Sequence, residues 1–328
     1  MKNRYKLFSS IARFVAVTGL LSATFVSCRD NVGEIAPVDE GTVSFKGQQV
    51  KLPQGFPVEA LMYTTNDYAR YFASSGKGAK AAAGVPFSLA ELNDVITPIR
   101  KKLPNSASLD KDAVSRIKAD FVGISDEKIE QSSEIIDEYY DKLTSFEAGE
   151  TLAKKSKTKG ARAGYLGYDV SAAEAALLLA HPRNVDGTKR ATDLAFAYEV
   201  ERFGGNSYQT RGDAFRHSIW AALVAKYGGH HYGEVWKAAN WGIDFTNAHE
   251  QGAPDGVDKS MDLHNNAVGV EYFRRVAYRH RVNWIDYDVH APDDNQFKDY
   301  LQPKAQTAVQ VSDPSQIPGS LDILVFIQ

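Results

Sequence analysis

The strongest constraint on this chain is a conflict of polarity between residues 212 and 266. Within that span GDAFRHSIW (212–220), AHE (248–250) and MDLHNN (261–266) set carboxylates, imidazoles and amides into stretches that are otherwise apolar at helical spacing. Residues 213–226 lack proline and run into Gly228-Gly229, which predicts a helix with a glycine stop. On it, Asp213 and His217 share a stripe with Trp220, Ala221 and Val224. A second helix, about Gly233 to His249, turns Val235, Ala238, Ala239, Gly242 and Phe245 inward and carries His249 on that face, with Glu250 turned about 100° away. A third, from near Ser260, aligns Asp262, Asn266, Gly269 and Phe273, with Asn265 at the edge of the stripe and His264 well away from it.

Burying such groups is costly unless they bond to one another, to water or to a metal. Two arrangements satisfy the pattern. In the first, His217, His249 and Asp262 ligate zinc or a similar divalent ion, Asp213 is a further ligand or an orienter, and Glu250 is general base for a bound water. Arg216 then stabilises anionic charge, and Asn265 and Asn266 complete the site. In the second, the same residues form a structural network that fixes helix packing. The spacing is not His-Glu-x-x-His, since Gln251-Gly252 follows His249-Glu250, and no Gly-x-Ser-x-Gly nucleophile elbow occurs.

The net charge of −3 gives no global field that favours nucleic acid, and none is expected as a partner. A basic leader (Lys2, Arg4, Lys6, Arg13) precedes the apolar run Phe14 to Phe25, which is too short for a bilayer span of about 20 residues and fits an export signal. The run ends at Val26-Ser27-Cys28, the single cysteine of the chain. This resembles a bacterial lipoprotein signal, which implies acylation of Cys28, a membrane anchor and a cell-envelope location, with the membrane face left open. A single cysteine also means no internal disulfide, so stability rests on packing.

Residues 29–45 read as a tether, although TVSFKGQQVKL at its end alternates as a short hairpin. Residues 46–153 read as a helical region, with Ser88 capping one helix that Pro98 must kink or end, and Ser125 opening another. The acidic run Glu127, Glu130, Glu134, Asp137, Glu138 and Asp141 reads as a solvated helix face. The basic stretch 154–164 reads as a linker before a mainly helical domain over 165–328, in which SAAEAALLLAHP forms a helix capped by Ser171 with Glu174. Trp236, Trp241, Tyr272 and Phe273 read as core, residues 278–295 as a rim to the site, and SLDILVFIQ as a strand beside residues 307–311. The chain as a whole is expected to be mainly α.

Residues 173–275 resemble a bacterial family of domains of unknown function found in exported and surface proteins, through EAALLLAHP, GDAFRHSIW, AHE and MDLHNNAVG in that order. The resemblance implies a mostly helical domain in which Asp213, Arg216, His217, His249, Glu250, Asp262, Asn265 and Asn266 cluster. It brings no settled activity. The order His217, His249-Glu250, Asp262 is also loosely similar to metal phosphohydrolases of the His-Asp type. The expectation is an exported lipoprotein with a hydrolase site that directs water onto an ester, amide or phosphoester, with His217 or Glu250 as the base. The alternatives are a non-enzymatic envelope-binding or structural protein, and a module of the toxin or immunity kind.

Overall fold

In the computed structural model, the described residues are 41–75, 87–106, 108–158, 168–205, 207–282 and 287–327. The leader, Cys28, residues 29–40 of the tether, the small-residue loop 76–84 and residues 159–164 of the basic stretch lie outside them. The chain opens with strands β1 (Thr42–Phe45) and β2 (Gln48–Lys51), paired antiparallel about Lys46-Gly47. Both turn residues have positive φ, 47° and 82°, as a tight hairpin turn requires. Helices α1 (Thr65–Ser75), α2 (Leu89–Arg100), α3 (Lys111–Asp120), α4 (Asp126–Gln131) and α5 (Ser133–Thr158) follow. After them come α6 (Ala172–Ala180), α7 (Val185–Phe203), α8 (Arg211–Leu223), α9 (Val235–Glu250) and α10 (Val257–Val276). Strands β3 (Tyr278–Arg281) and β4 (Tyr287–His290), helix α11 (Asp294–Gln306) and strands β5 (Val309–Gln310) and β6 (Val325–Phe326) complete a mainly α architecture.

Local chemistry sets many of these boundaries. Ser88 and Glu91 form a capping box at the start of α2, and Ser171 and Glu174 form one at the start of α6. Pro98 sits inside α2, which ends two residues later at Arg100. Ser125 does cap a helix, but only the short α4; the chain breaks at Ser132 before α5 begins. Residues 154–158 continue α5. Among the described residues no helix is long and apolar enough to cross a membrane.

Residues Gly41–Gln328 form one compact unit. A smaller core gathers Phe45, Val50, Ile117, Phe121, Ile136, Tyr139 and Tyr140 beneath the β1–β2 hairpin. The larger core joins α2 and the end of α5 to α6 through α11, and includes Leu92, Ile96, Leu152, Leu178, Phe215, Trp220, Phe245 and Phe273. Its centre is the crossing of α8 with α10. A Cβ at Gly269 would lie 1.8 Å from the carbonyl oxygen of Ser218, so the two backbones touch there and only glycine fits. Strands β5 and β6 pair in parallel, Val309 opposite Val325, as the sequence pattern anticipates.

Three sequence expectations need correction. Asp137 and Asp141 are buried rather than solvated, because arginines from remote segments reach them. Arg100 Nε donates to Asp141 at 2.8 Å, and Arg183 donates to Asp141 from Nε and to Asp137 from Nη1, each at 2.9 Å. Trp236 is exposed at 57%, whereas Trp241 and Phe273 are core and Tyr272 stacks on Tyr300. The β3–β4 hairpin packs through β4 on the turn His230–Tyr232, beyond the C-terminal end of α8. Within that turn His230 is exposed but His231 is half-buried, with both ring nitrogens enclosed and unpartnered.

Candidate functional site

Thr210 caps α8 by accepting from the Gly212 N–H at 3.2 Å, which brings Asp213 into the first turn and His217 one turn later on the face toward α10. Asp213 is anchored by its neighbours. Its Oδ2 accepts from the Gln209 N–H at 2.6 Å, and its Oδ1 accepts from Arg216. Gln209 sits in the left-handed region at φ 62°, rare for a residue with a side chain, and its carbonyl also accepts from Ile327 N–H at 3.0 Å. The strained turn is thus held from both sides, by Asp213 and by the C-terminal segment.

His217 Nε2 lies 3.2 Å from Asp262 Oδ1 and 3.5 Å from Asp213 Oδ1. One donor atom from each of these three residues falls within 4.8 Å of the others. The contact with Asp262 is close but not aligned as a hydrogen bond, and Asp262 Oδ1 has no hydrogen-bond partner. On the other side of the ring, His217 Nδ1 is also unpartnered, with Glu250 Oε1 at 3.9 Å and itself unpartnered. Asn266 is fully buried close to the imidazole, and neither amide atom has a partner. Buried polar atoms without partners are rare, and here they concentrate around one ring.

The electrostatics explain the crowding. Burial drives the His217 imidazole well below its ordinary pKa, helped by the Arg216 charge and by His249, so the ring is neutral at neutral pH, and its Nε2 lies 3.3 Å from the donor Nη2 of Arg216. Burial, reinforced by Glu250, Asp213 and Asp258, pushes the Asp262 carboxyl up to about 9. Burial also raises Glu250 and Asp213. Arg216 is the compensating cation, 3.3 Å from Glu199 Oε2 and closer still to Asp213. Its charge is therefore already met by two buried acids.

The remaining sequence candidates divide. His249 does not join His217 and Asp262. Its Nδ1 lies 2.7 Å from the Tyr168 hydroxyl and 3.4 Å from Glu174, its ring stacks on Tyr168, and its side chain is 36% exposed. Glu250, which the helical repeat turns away from the inner face, is the more deeply buried of the pair. Asn265 works on the fold: its amide donates to the Val325 carbonyl at 2.9 Å and accepts from the Val325 N–H at 3.1 Å, pinning β6 to α10. His264 bonds the Ile323 carbonyl at 2.8 Å, away from the site. Sequence reasoning did not bring in Tyr168 or Glu199, and took Glu174 for a cap alone. Glu174 does cap α6, accepting from Ser171 N–H at 2.6 Å, but it also bonds Tyr168 and faces His249.

A void of about 50 Å³ is lined by Tyr168, Ala195, Phe196, Arg216, His217, Trp220 and His249. Phe196, 43% exposed, stands on its solvent side. That volume suits one or two waters, an order of magnitude below the roughly 300–1,000 Å³ of sites that enclose an organic ligand.

Residues 175–291 match a family described as a domain of unknown function, DUF6973. No curated protein matches the sequence. Among solved structures, a chain in the complex of human WLS with WNT8A is similar at a TM-score of 0.35 and 16% identity, over 44% of this chain and 66% of that one. At that level the likeness carries no argument about fold or function.

Proposed function

We propose that this chain is an exported lipoprotein, held at a bacterial membrane through acyl chains on Cys28, whose DUF6973 domain is a metal-dependent hydrolase. The observation that carries the reading is the convergence of donor atoms from Asp213, His217 and Asp262 within 4.8 Å, with Asp262 Oδ1 and the nearby Glu250 Oε1 buried and unpartnered. Two carboxylates and one neutral imidazole form a donor set suited to zinc, manganese or iron. A divalent ion held by them would supply a lowered pKa to a bound water and would polarise the carbonyl or phosphoryl group of an ester, amide or phosphoester. Around it the side chains have distinct tasks. Glu250, whose Oε1 is unpartnered and whose carboxyl is raised by burial, would serve as general base. Arg216 lines the void while paired with Asp213 and Glu199, so it would hold Asp213 in place. Glu174 and Tyr168 orient His249 at the same void.

The small volume of the void favours a second reading, a sealed packing network with no substrate. Elemental mass spectrometry on the chain lacking residues 1–28 separates the two. Near-stoichiometric zinc, manganese or iron that disappears in a still-helical His217→Ala variant is expected. A metal-free protein, or a variant that loses its helicity, would leave the packing network as the explanation and move the search to envelope partners.

A further inference from the structure

A second and larger cavity, of about 510 Å³, opens between the β1–β2 hairpin, the single turn Val58–Met62, α5 and the C-terminal end of α6. Its volume falls in the range of sites that enclose an organic ligand. The body of the lining is apolar: Phe45, Val58, Leu61, Met62 and Tyr63. Val58 and Met62 are 52% and 75% exposed, an unusual state for two neighbouring large apolar residues, and both belong to this lining.

The polar part of the wall carries Lys46, Glu138, Lys142 and His181. Lys46 and Glu138 pair with each other. Lys142 makes no ion pair among the described residues; its ammonium donates to the Tyr63 carbonyl oxygen at 2.5 Å. The other acids nearby are already engaged, Asp141 by Arg100 and Arg183, and Asp67 by Thr64 and Arg70. Burial pulls the Lys142 ammonium below its ordinary pKa, the mark of a cation short of counter-charge. Burial, with Lys142 and Arg183 adding to it, lowers His181 to about 4, so it is a neutral polar group at pH 7. The wall thus carries two ammonium groups against one carboxylate, at the edge of an apolar chamber with an apolar mouth.

We propose that this cavity binds a small amphiphile with an apolar body and a single anionic head, the body against Phe45, Leu61 and Tyr63 and the head at Lys142. A carboxylate or a phosphate head meets the same ammonium in the same way. A cationic or uncharged head has no partner there. The site is separate from the Asp213–His217–Asp262 cluster and does not depend on its chemistry.

The test is isothermal titration of the compact unit 41–328 with dodecanoate, dodecyl phosphate and dodecyltrimethylammonium. Saturable binding of one dodecanoate or dodecyl phosphate per chain is expected, the stronger of the two naming the preferred head, with no comparable binding of the ammonium compound. Lys142→Met should weaken binding by about tenfold or more, the contribution of a charge-assisted hydrogen bond. Met62→Asp should abolish it, and because Met62 is largely exposed this variant keeps its fold, as circular dichroism will check. The proposal fails if neither anion binds saturably, if the ammonium compound binds as well as the anions, or if Met62→Asp leaves binding unchanged.

Discussion

Two buried clusters of charge stand in this molecule, and they are composed differently. Around α5, Asp137 and Asp141 face Arg100 and Arg183, two acids against two guanidiniums, with contacts of 2.8 to 3.5 Å closing the set. Between α8, α9 and α10, Asp213, Glu250 and Asp262 crowd a neutral His217, and Arg216 is shared with a fourth acid, Glu199. The first cluster is balanced and its acids are bonded. The second has more acid than cation, and it contains several of the unpartnered buried atoms of the described residues. Burial of charge is tolerable only with compensation, which the balanced cluster has in its two arginines, whereas in the unbalanced one burial and mutual repulsion hold the Asp262 carboxyl in its protonated form at neutral pH.

That contrast can be broken in order of size. Arg100→Met should leave two buried carboxylates against one arginine and lower stability by about 3–5 kcal/mol in urea unfolding. A change much under that would mean the α5 cluster is looser than its distances suggest. His181 offers a gentler test, because its protonation presses a further cation beside Arg183 and Lys142. Its folded pKa of about 4 lies below the ordinary 6.5, so the unfolded chain takes the proton first and stability falls as pH drops from 6.5 toward 4, levelling off below. Relative to His181→Gln, wild type should lose up to about 3 kcal/mol across that window.

Asp262→Asn probes the other cluster, where the sign should reverse. The folded carboxyl, at about 9, lies above the ordinary 3.8, so its burial becomes more costly as pH rises between those values. In chelator, the Asn variant should therefore exceed wild type at pH 8 and converge with it near pH 4. Added zinc or manganese should restore the advantage to wild type, and thermal melts with and without ion will read it. The smallest effect concerns the support of His249. Ser171→Ala removes both the α6 cap and the bond from Ser171 Oγ to the Ala248 carbonyl at 3.1 Å, and should lower stability by about 1 kcal/mol.

Much of the fold was legible because its signals are local. Capping boxes at Ser88 and Ser171, the Lys46-Gly47 turn and the stripes through His217 and Asp262 depend on residues a few positions apart. What the sequence concealed came from distant partners. Asp137 and Asp141 repeat along α5 as an exposed face would, and only arginines remote in sequence turn them into buried groups. The reversal of His249 and Glu250 has a similar source. The end of α9 packs on two sides, with Ala248 and His249 meeting Ser171, Glu174 and Tyr168 while Glu250 meets His217, and a helical wheel shows one inner face where there are two. Tyr168 and Glu199 carry no pattern of their own, since each acts through a contact made in space.

The glycine at the crossing of α8 and α10 has a mechanical consequence. With Gly269 pressed on the Ser218 carbonyl, the helices carrying Asp213, His217 and Asp262 close against a hard stop made of backbone. The gap between the two rows of donor atoms is a fixed gauge. Under the proposed function an ion held there would have to match its width, because the contact at the crossing is backbone and has no soft side chain through which to adjust.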